Sequence, residues 1–225
     1  MAWTTVQTIL NFNRRMSPWK LRAGDIIYQW KPTGAVARRI SPTDAERIST
    51  AVKRGQIQTG FPMSIALAFM GMESRFDPNA MNMNGRLKLG AVEGSINPDD
   101  WDRSDKGNWD VGVSQLKLKY LAARADTGLN GNLDDALELA QDIDRAVQVK
   151  FAIMRENVVW ARRFQSENPK YQVYSAHYLA LLAYNSGRTG AEKLLETGGK
   201  LVYADRVMGL EREFALRLGI KSVFG

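Results

Sequence analysis

The sequence contains no cysteine and only one histidine, His177, among its 225 residues. Without cysteine there is no disulfide scaffold, no thiolate metal site and no cysteine nucleophile. One histidine is too few for a histidine-cluster metal site, and a Ser-His-Asp hydrolase would depend on that residue alone. We therefore expect no metal ion or other cofactor, and carboxylates as the reactive groups. His177 itself is interpreted as a packing residue or a helix hydrogen-bonding residue.

Long hydrophobic runs are also missing. No stretch of the sequence approaches the roughly 18 consecutive apolar residues that a membrane-spanning helix needs. The first ten residues lack a basic start followed by an apolar run, which is the pattern of a secretory signal. We therefore expect no stable membrane insertion and a chain made in the cytoplasm without a signal peptide.

Positive charge is in excess, because 31 Lys and Arg residues against 24 Asp and Glu residues give a formal net charge of +7. This balance favours a polyanionic partner such as nucleic acid, a membrane surface or an anionic cell wall. A nucleic-acid surface would need a denser basic stripe with interleaved aromatic residues, so we rank that partner last. The length allows one large domain or a main domain with an extension, and the 44% hydrophobic content is enough to build a core.

The pattern along the chain predicts an N-terminal extension, residues 1–40, and one domain over residues 41–225. The extension has turn signals and reads as partly extended. Ser41 and Pro42 predict the start of a helix that runs to about Arg54, where Gly55 follows. Residues 62–72 are apolar on all sides and predict a buried helix that ends between residues 73 and 78, before Pro78.

The second half of the chain is mostly helical in pattern. Apolar residues recur at helical spacing from Ile143 to Ala161, which predicts an amphipathic helix. Further helices are predicted over residues 174–184, 191–195 and 203–218. Residues 79–111 are rich in glycine and predict a loop with one short hairpin near residues 87–89. The expected architecture is predominantly α, with a small β or loop lobe after the apolar helix.

Glu73 stands at the C-terminal end of the apolar helix. Desolvation and the negative end of the helix dipole both disfavour the charged form of a carboxyl at this position. A carboxyl that stays partly protonated near neutral pH is suited to general acid catalysis, as in glycosidases that protonate a leaving-group oxygen. The alternative is that Glu73 is simply the first exposed residue after a buried helix.

Four short motifs resemble, in chain order, those of the soluble lytic transglycosylases and goose-type lysozymes. The family motifs are a Glu-Ser at a helix end, a G-x-x-Q, an A-Y-N-[AS]-G and a Tyr-containing stretch on a late helix. In this sequence they are Glu73-Ser74, GVSQ at 112–115, AYNSG at 183–187 and YADRV at 203–207. The resemblance covers about residues 45–215, and its specificity lies in the order of the four motifs.

The resemblance implies that Glu73 is the catalytic acid. It implies substrate-binding or supporting roles for five further residues: Ser74, Gln115, Tyr184, Asn185 and Tyr203. Within this set, Tyr203 would point its hydroxyl towards Glu73, and Ser74 would support the carboxyl or the substrate. Gly112 would leave room for the chain to approach Glu73. For Tyr184 and Tyr203 the alternative is core packing.

Two departures from the family pattern keep a second mechanism open. After Gln115, a continuation with proline is replaced by residues 116–119 (LKLK), and Lys117 stands where goose-type lysozymes carry an aspartate. Residues 79–111 are long for a transglycosylase, and residues 105–108 look like the lysozyme stretch that holds an auxiliary aspartate. Asp105 and Asp110 are therefore candidates for a second carboxylate. Lys117 and Lys119 are interpreted as solvated charges.

By this resemblance we expect a predominantly α, lysozyme-like α+β fold with Glu73 at the floor of a cleft between two lobes. The expected activity is that of a muramidase that cuts the MurNAc-GlcNAc bond of peptidoglycan. A lytic transglycosylase that forms 1,6-anhydroMurNAc is favoured over an inverting goose-type lysozyme that uses a second carboxylate. A non-catalytic wall-binding virion protein is the alternative from another class.

A small, basic enzyme without a leader looks like a bacteriophage endolysin or a wall-degrading enzyme carried in the virion. We expect it to be a monomer that is made in the host cytoplasm and acts on the cell wall. Its expected partners are the glycan strands of peptidoglycan, without nucleic acid.

Overall fold

The computed structural model describes residues 4–15, 40–82 and 103–224. Over these ranges the chain is predominantly helical, as predicted from the sequence, and the small lobe contains one three-stranded sheet. None of the described helices combines the length and the hydrophobicity that a membrane span requires.

The first two helices are α1, Thr5–Arg15, and α2, Pro42–Thr59. The predicted start of α2 is confirmed, because the Ser41 side chain caps the helix by accepting a hydrogen bond of 3.0 Å from the Asp44 N–H. The predicted end at Arg54 is wrong. A Cβ at Gly55 would lie 2.6 Å from the Phe151 ring, so this glycine permits close packing inside the helix. The helix ends instead at Gly60, which has a φ of +70°.

Residues 5–15 form a helix rather than the partly extended segment that we expected. Ile9 and Phe12 are buried in the same core as the central helices. The Phe12 ring packs edge-on against Phe76 and Phe214, at centroid distances of 5.8 and 5.1 Å. Helix α1 therefore packs against the domain that the sequence predicts over residues 41–225. Residues 16–39 of the predicted extension lie outside the described residues.

Helix α3, Met63–Ser74, is the apolar helix expected from the sequence, and its central residues are fully buried. It ends where predicted, but for a different reason. Arg75 adopts a left-handed conformation with a φ of +54°, and its N–H donates to the Gly71 carbonyl at 3.1 Å. The helix thus stops at its own cap three residues before Pro78.

The small lobe consists of strands β1, Met81–Asn82, β2, Asp110–Val111, and β3, Leu116–Lys117, followed by helices α4, Leu118–Ala123, and α5, Leu133–Gln141. The strands are antiparallel in the order β1-β2-β3, and the register sets Asp110 opposite Lys117. A second, smaller core that includes Trp109, Leu121 and Leu139 holds this lobe together. The hairpin expected near residues 87–89 lies outside the described residues.

The remaining four helices complete the main core. They are α6, Ile143–Glu167, α7, Ala176–Ser186, α8, Arg188–Thr197, and α9, Val202–Leu218. All four predicted helices are present, and the predicted apolar stripe of α6 is buried. Helix α7 begins two residues later than expected, because the Ser175 hydroxyl accepts a hydrogen bond from the Tyr178 N–H and caps it.

Candidate functional site

A cavity of about 670 Å³ is lined by residues of both the small lobe and the main core. Most of its lining comes from segments that the sequence analysis singled out. The small lobe contributes Asp110 of β2, residues 115–117 in and before β3, and Tyr120, Leu121 and Arg124 of α4 and its C-cap. The main core contributes Glu73 of α3, Ile153 and Asn157 of α6, and residues 183–188, from the end of α7 to the first residue of α8. The cavity thus contains two acidic side chains among several basic and aromatic ones.

Glu73 lies in the last turn of α3 and is partly buried. The Tyr203 hydroxyl, in the first turn of α9, donates a hydrogen bond of 2.5 Å to its Oε1. Burial and the nearby Glu73 charge raise the pKa of Tyr203 well above its usual range. The phenol therefore stays protonated at neutral pH and acts as a donor that orients the carboxyl group.

The turn of residues 112–115, which contains the G-x-x-Q motif, is fastened to three helices of the main core. Three consecutive backbone carbonyls of the turn each accept a hydrogen bond from a different side chain. The pairs are Val113 with the Ser74 hydroxyl at 2.7 Å, Ser114 with the Lys150 ammonium at 2.9 Å, and Gln115 with the Tyr184 hydroxyl at 3.2 Å. The donors lie on α3, α6 and α7, so the turn is held at the junction of these helices.

Ser74 and Gln115 both make intramolecular contacts in this structure. Ser74 is only 4% exposed, and its hydroxyl also accepts a hydrogen bond of 3.1 Å from the Phe76 N–H. The Gln115 side chain donates from Nε2 to the carbonyls of Ala80 and Gly112, at 3.1 and 3.0 Å. Ser74 therefore supports the turn behind Glu73, while Gln115, which lines the cavity, uses its amide protons to shape the turn.

Gly112 is required by packing against α5. It has a φ of +78°, which favours glycine, and a Cβ at this position would lie 1.8 Å from the Ala140 carbonyl oxygen. The expected reason, room for the chain near Glu73, is therefore not the one that the structure gives. The absence of a side chain lets the turn approach the backbone of α5.

Tyr184 and Asn185 lie at the C-terminal end of α7 and line the cavity. The Tyr184 ring packs beside Phe69 and Tyr203, at centroid distances of 6.4 and 6.1 Å. Burial is the main cause that raises the pKa of Tyr184 well above its usual range. Tyr184 thus combines packing with a hydrogen bond to the turn, whereas Asn185 is exposed at the cavity wall.

The two candidates for a second carboxylate are placed differently. Asp110 lines the cavity, and the Lys117 ammonium lies 3.6 Å from its Oδ2 across the sheet. Burial raises the pKa of Asp110, the charge of Lys117 lowers it, and the charge of Glu73 adds to the increase. Asp105 lies on the 3-10 helix Arg103–Asn108 and does not line this cavity. Lys117 lines the cavity and is paired with Asp110, so it is not the solvated charge that we expected.

Several residues of this region were missed by the sequence analysis, among them Lys150, Tyr120 and Arg188. Lys150 is completely buried behind the turn. Tyr120 and Arg188 line the cavity, and Tyr120 is 65% exposed. Lys150 carried a detectable signal. It follows Val147 by three positions and precedes Met154 by four, so it lies on the buried face of α6, where a charged residue is unusual.

His177 lies on α7 and packs edge-on against Phe61, with the ring centroids 5.7 Å apart. Burial, followed by the charge of Arg162, lowers its pKa. It does not line the cavity, and the packing role fits this position. Among the described residues, no group of three or more His, Cys, Asp or Glu side chains is arranged to hold a metal ion.

Comparisons of the chain with protein-family models, with curated proteins and with solved structures found no match. The interpretation of the site therefore depends on its own geometry and on the four motifs.

Proposed function

We propose that this protein is a peptidoglycan-cleaving muramidase with a lysozyme-like fold, in which Glu73 is the catalytic acid. The observation that carries the proposal is the hydrogen bond between Glu73 and Tyr203, two motif residues 130 positions apart that meet beside the cavity. The motifs that contain Gln115 and Tyr184 contribute to the same cavity wall. The four motifs thus meet at one cavity, and one of them supplies a hydrogen-bond donor to the Glu73 carboxyl.

In the proposed reaction, Glu73 donates its proton to the oxygen of the MurNAc-GlcNAc bond. The bond between C1 of MurNAc and this oxygen breaks, and the GlcNAc 4-hydroxyl leaves. The oxocarbenium-like sugar is stabilised by the carbonyl oxygen of its own N-acetyl group. The Glu73 carboxylate then takes a proton from the MurNAc 6-hydroxyl as that oxygen attacks C1, which gives 1,6-anhydroMurNAc and restores the acid.

The Tyr203 hydroxyl supports both halves of this cycle. Because it donates to Oε1, it stabilises the carboxylate that Glu73 becomes after the first proton transfer. It also holds the carboxyl plane in one orientation while the proton leaves and returns. No metal ion or cofactor is needed for these steps.

A second candidate function is an inverting hydrolase that uses Asp110. The observation that favours it is that Asp110 lines the same cavity as Glu73 and that the charge of Glu73 acts on its pKa. An inverting glycosidase needs a second carboxylate to activate water. The ion pair with Lys117 engages this carboxylate, so we favour the transglycosylase reaction.

The proposed setting is bacteriophage lysis or cell entry, with the glycan strands of the bacterial cell wall as the partner. The net charge of +7 suits an anionic wall. We propose that the protein acts there as a monomer.

The test is digestion of purified peptidoglycan, with mass spectrometry of the products. Glu73→Gln keeps the shape of the side chain but has no acidic proton to transfer to the glycosidic oxygen, and we expect less than about 1% of the parent rate. Glu46→Gln, an exposed residue of α2, is the matched control and should retain the parent rate. If the parent binds peptidoglycan without cutting it, a wall-binding protein replaces the enzyme. A cutting Glu73→Gln variant would show that the acid is another residue.

A further inference from the structure

Lys150, in the middle of α6, is a charged residue without any exposed surface. Its ammonium donates a hydrogen bond of 2.9 Å to the Ser114 carbonyl. It also lies 3.4 Å from the ring centroid of Tyr184 and 4.6 Å from that of Phe69. No ion pair joins Lys150 to a carboxylate within the described part of the chain. Two aromatic faces and one carbonyl therefore replace the water that this cation has lost.

The position of Lys150 connects it to the site. Three side chains hold the 112–115 turn, and Lys150 donates to the middle of the three carbonyls, that of Ser114. Its ammonium also contacts the ring of Tyr184, whose hydroxyl donates to the carbonyl of Gln115. The turn contributes Gln115 to the cavity wall. Lys150 does not line the cavity, so it acts on the site from behind.

The charged groups that act on Lys150 are the two cavity carboxylates. Burial lowers its pKa to about 7, while the charges of Glu73 and Asp110 raise it. The reverse effect is also present, because the charge of Lys150 lowers the pKa of Asp110. The Lys150 ammonium thus interacts electrostatically with the carboxyl groups of Glu73 and Asp110 on the other side of the cavity wall.

A lysine here is costly for folding. A buried charge is often replaced by an apolar side chain of similar volume without loss of stability, and sometimes with a gain. Methionine fills a comparable volume and is flexible. Packing alone therefore does not explain why a charged residue lies at the junction of the turn and the aromatic rings.

We propose that Lys150 is a positioning residue for the catalytic site, whose buried ammonium holds the 112–115 turn on α6 and places a positive charge behind the cavity near Asp110. This inference rests on the proposed function only in treating the cavity as catalytic. The contacts of Lys150 with the turn and its effect on Asp110 are physical properties, and both are measurable even if the protein has no enzymatic activity.

The test compares Lys150→Met, which removes the charge and the hydrogen bond, with Lys150→Gln, which removes the charge but keeps a donor. Carboxyl carbon NMR follows the titration of Asp110 in the parent and in both variants, with the Asp105 signal as the internal control. We expect both variants to move the Asp110 midpoint to higher pH by at least about 0.5 pH unit, because a nearby cation has been lost. An unchanged midpoint in a folded variant would overturn the proposal.

Kinetics on peptidoglycan provide the second measurement. We expect kcat to fall by about tenfold or more in both variants, with KM changed by less than about threefold, because Lys150 positions the site without touching substrate. Full activity in Lys150→Gln would assign the role to the hydrogen bond and overturn the role of the charge. If the parent has no activity, the proposed function fails, and the Asp110 titration still decides the role of Lys150.

A measurement on the parent protein covers the case in which neither variant folds. The Nζ resonance of Lys150, in protein labelled with nitrogen-15, should titrate near pH 7 rather than at the ordinary pH of a lysine. A Lys150 that is already neutral at the pH at which Asp110 ionises would overturn the proposal, because no cation would then act on that carboxylate.

Discussion

Tyr203 and Glu73 are joined by a hydrogen bond of 2.5 Å, although 130 positions separate them in the chain. The contact forms because the first turn of α9 lies beside the last turn of α3. Ser64, near the start of α3, also donates to the buried Glu211 of α9, at 2.6 Å. Helix α3 is thus bonded to α9 near both of its own ends, and the packing of the two helices sets the position of the Tyr203 hydroxyl.

Tyr203→Phe removes only the hydroxyl group that contacts Glu73. We expect kcat on peptidoglycan to fall by roughly 10- to 100-fold, because a hydrogen bond to a charged group contributes about 1.5–3 kcal/mol. The matched control is Tyr178→Phe, since Tyr178 donates a similarly short bond of 2.6 Å to Asp205, and neither residue lines the cavity. Equal losses of kcat in the two variants would show that Tyr203 matters only for folding.

Asp110→Asn separates the two reactions that the site allows. We expect the parent and this variant to release the same 1,6-anhydro product, with the rate lowered by about tenfold or less, or about 1.4 kcal/mol. The control is Asp105→Asn, a residue outside the cavity lining, which should leave the rate unchanged. A parent product heavier by one water, together with an inactive Asp110→Asn variant, would establish the hydrolase.

Much of the helical structure was predictable, because caps and hydrophobic periodicity are local signals. Ser41 caps α2 as its sequence predicts, and the apolar stripe from Ile143 to Ala161 is buried along α6. The predicted end of α2 at Gly55 is wrong, because whether a glycine ends a helix depends on its tertiary neighbours. Here that neighbour is Phe151, almost one hundred positions away, and no local pattern records it.

The site was predictable only as far as its motifs extend. The motifs identified Glu73 and Tyr203, but they did not predict that Lys117 pairs with Asp110. That pairing follows from the register of two strands of two residues each. Strands this short have no alternation from which a register can be read. Lys150 was missed for a different reason, because a search for chemistry by motif ignores a charged residue on a buried helix face.

Gly112→Ala tests whether the turn is held by its close approach to α5. We expect a loss of about 3 kcal/mol or more in the free energy of unfolding, since the new Cβ collides with the Ala140 carbonyl and the φ is unfavourable. Gly131→Ala is the matched control. Its φ of +84° is similar, but nothing lies within 4 Å of its Cβ position, so we expect about 1–2 kcal/mol. Equal losses, measured by urea unfolding, would contradict the packing argument.

Ile9→Ala tests whether α1 belongs to the main core. Ile9 has no exposed surface, and we expect its truncation to lower the free energy of unfolding by about 2–5 kcal/mol, because it leaves a cavity among buried side chains. The same substitution at Ile57, which is 84% exposed on α2, is the control and should change stability by less than about 0.5 kcal/mol. Urea unfolding of both variants measures the difference. An Ile9→Ala variant as stable as Ile57→Ala would mean that α1 is a separable extension, as the sequence predicts for residues 1–40.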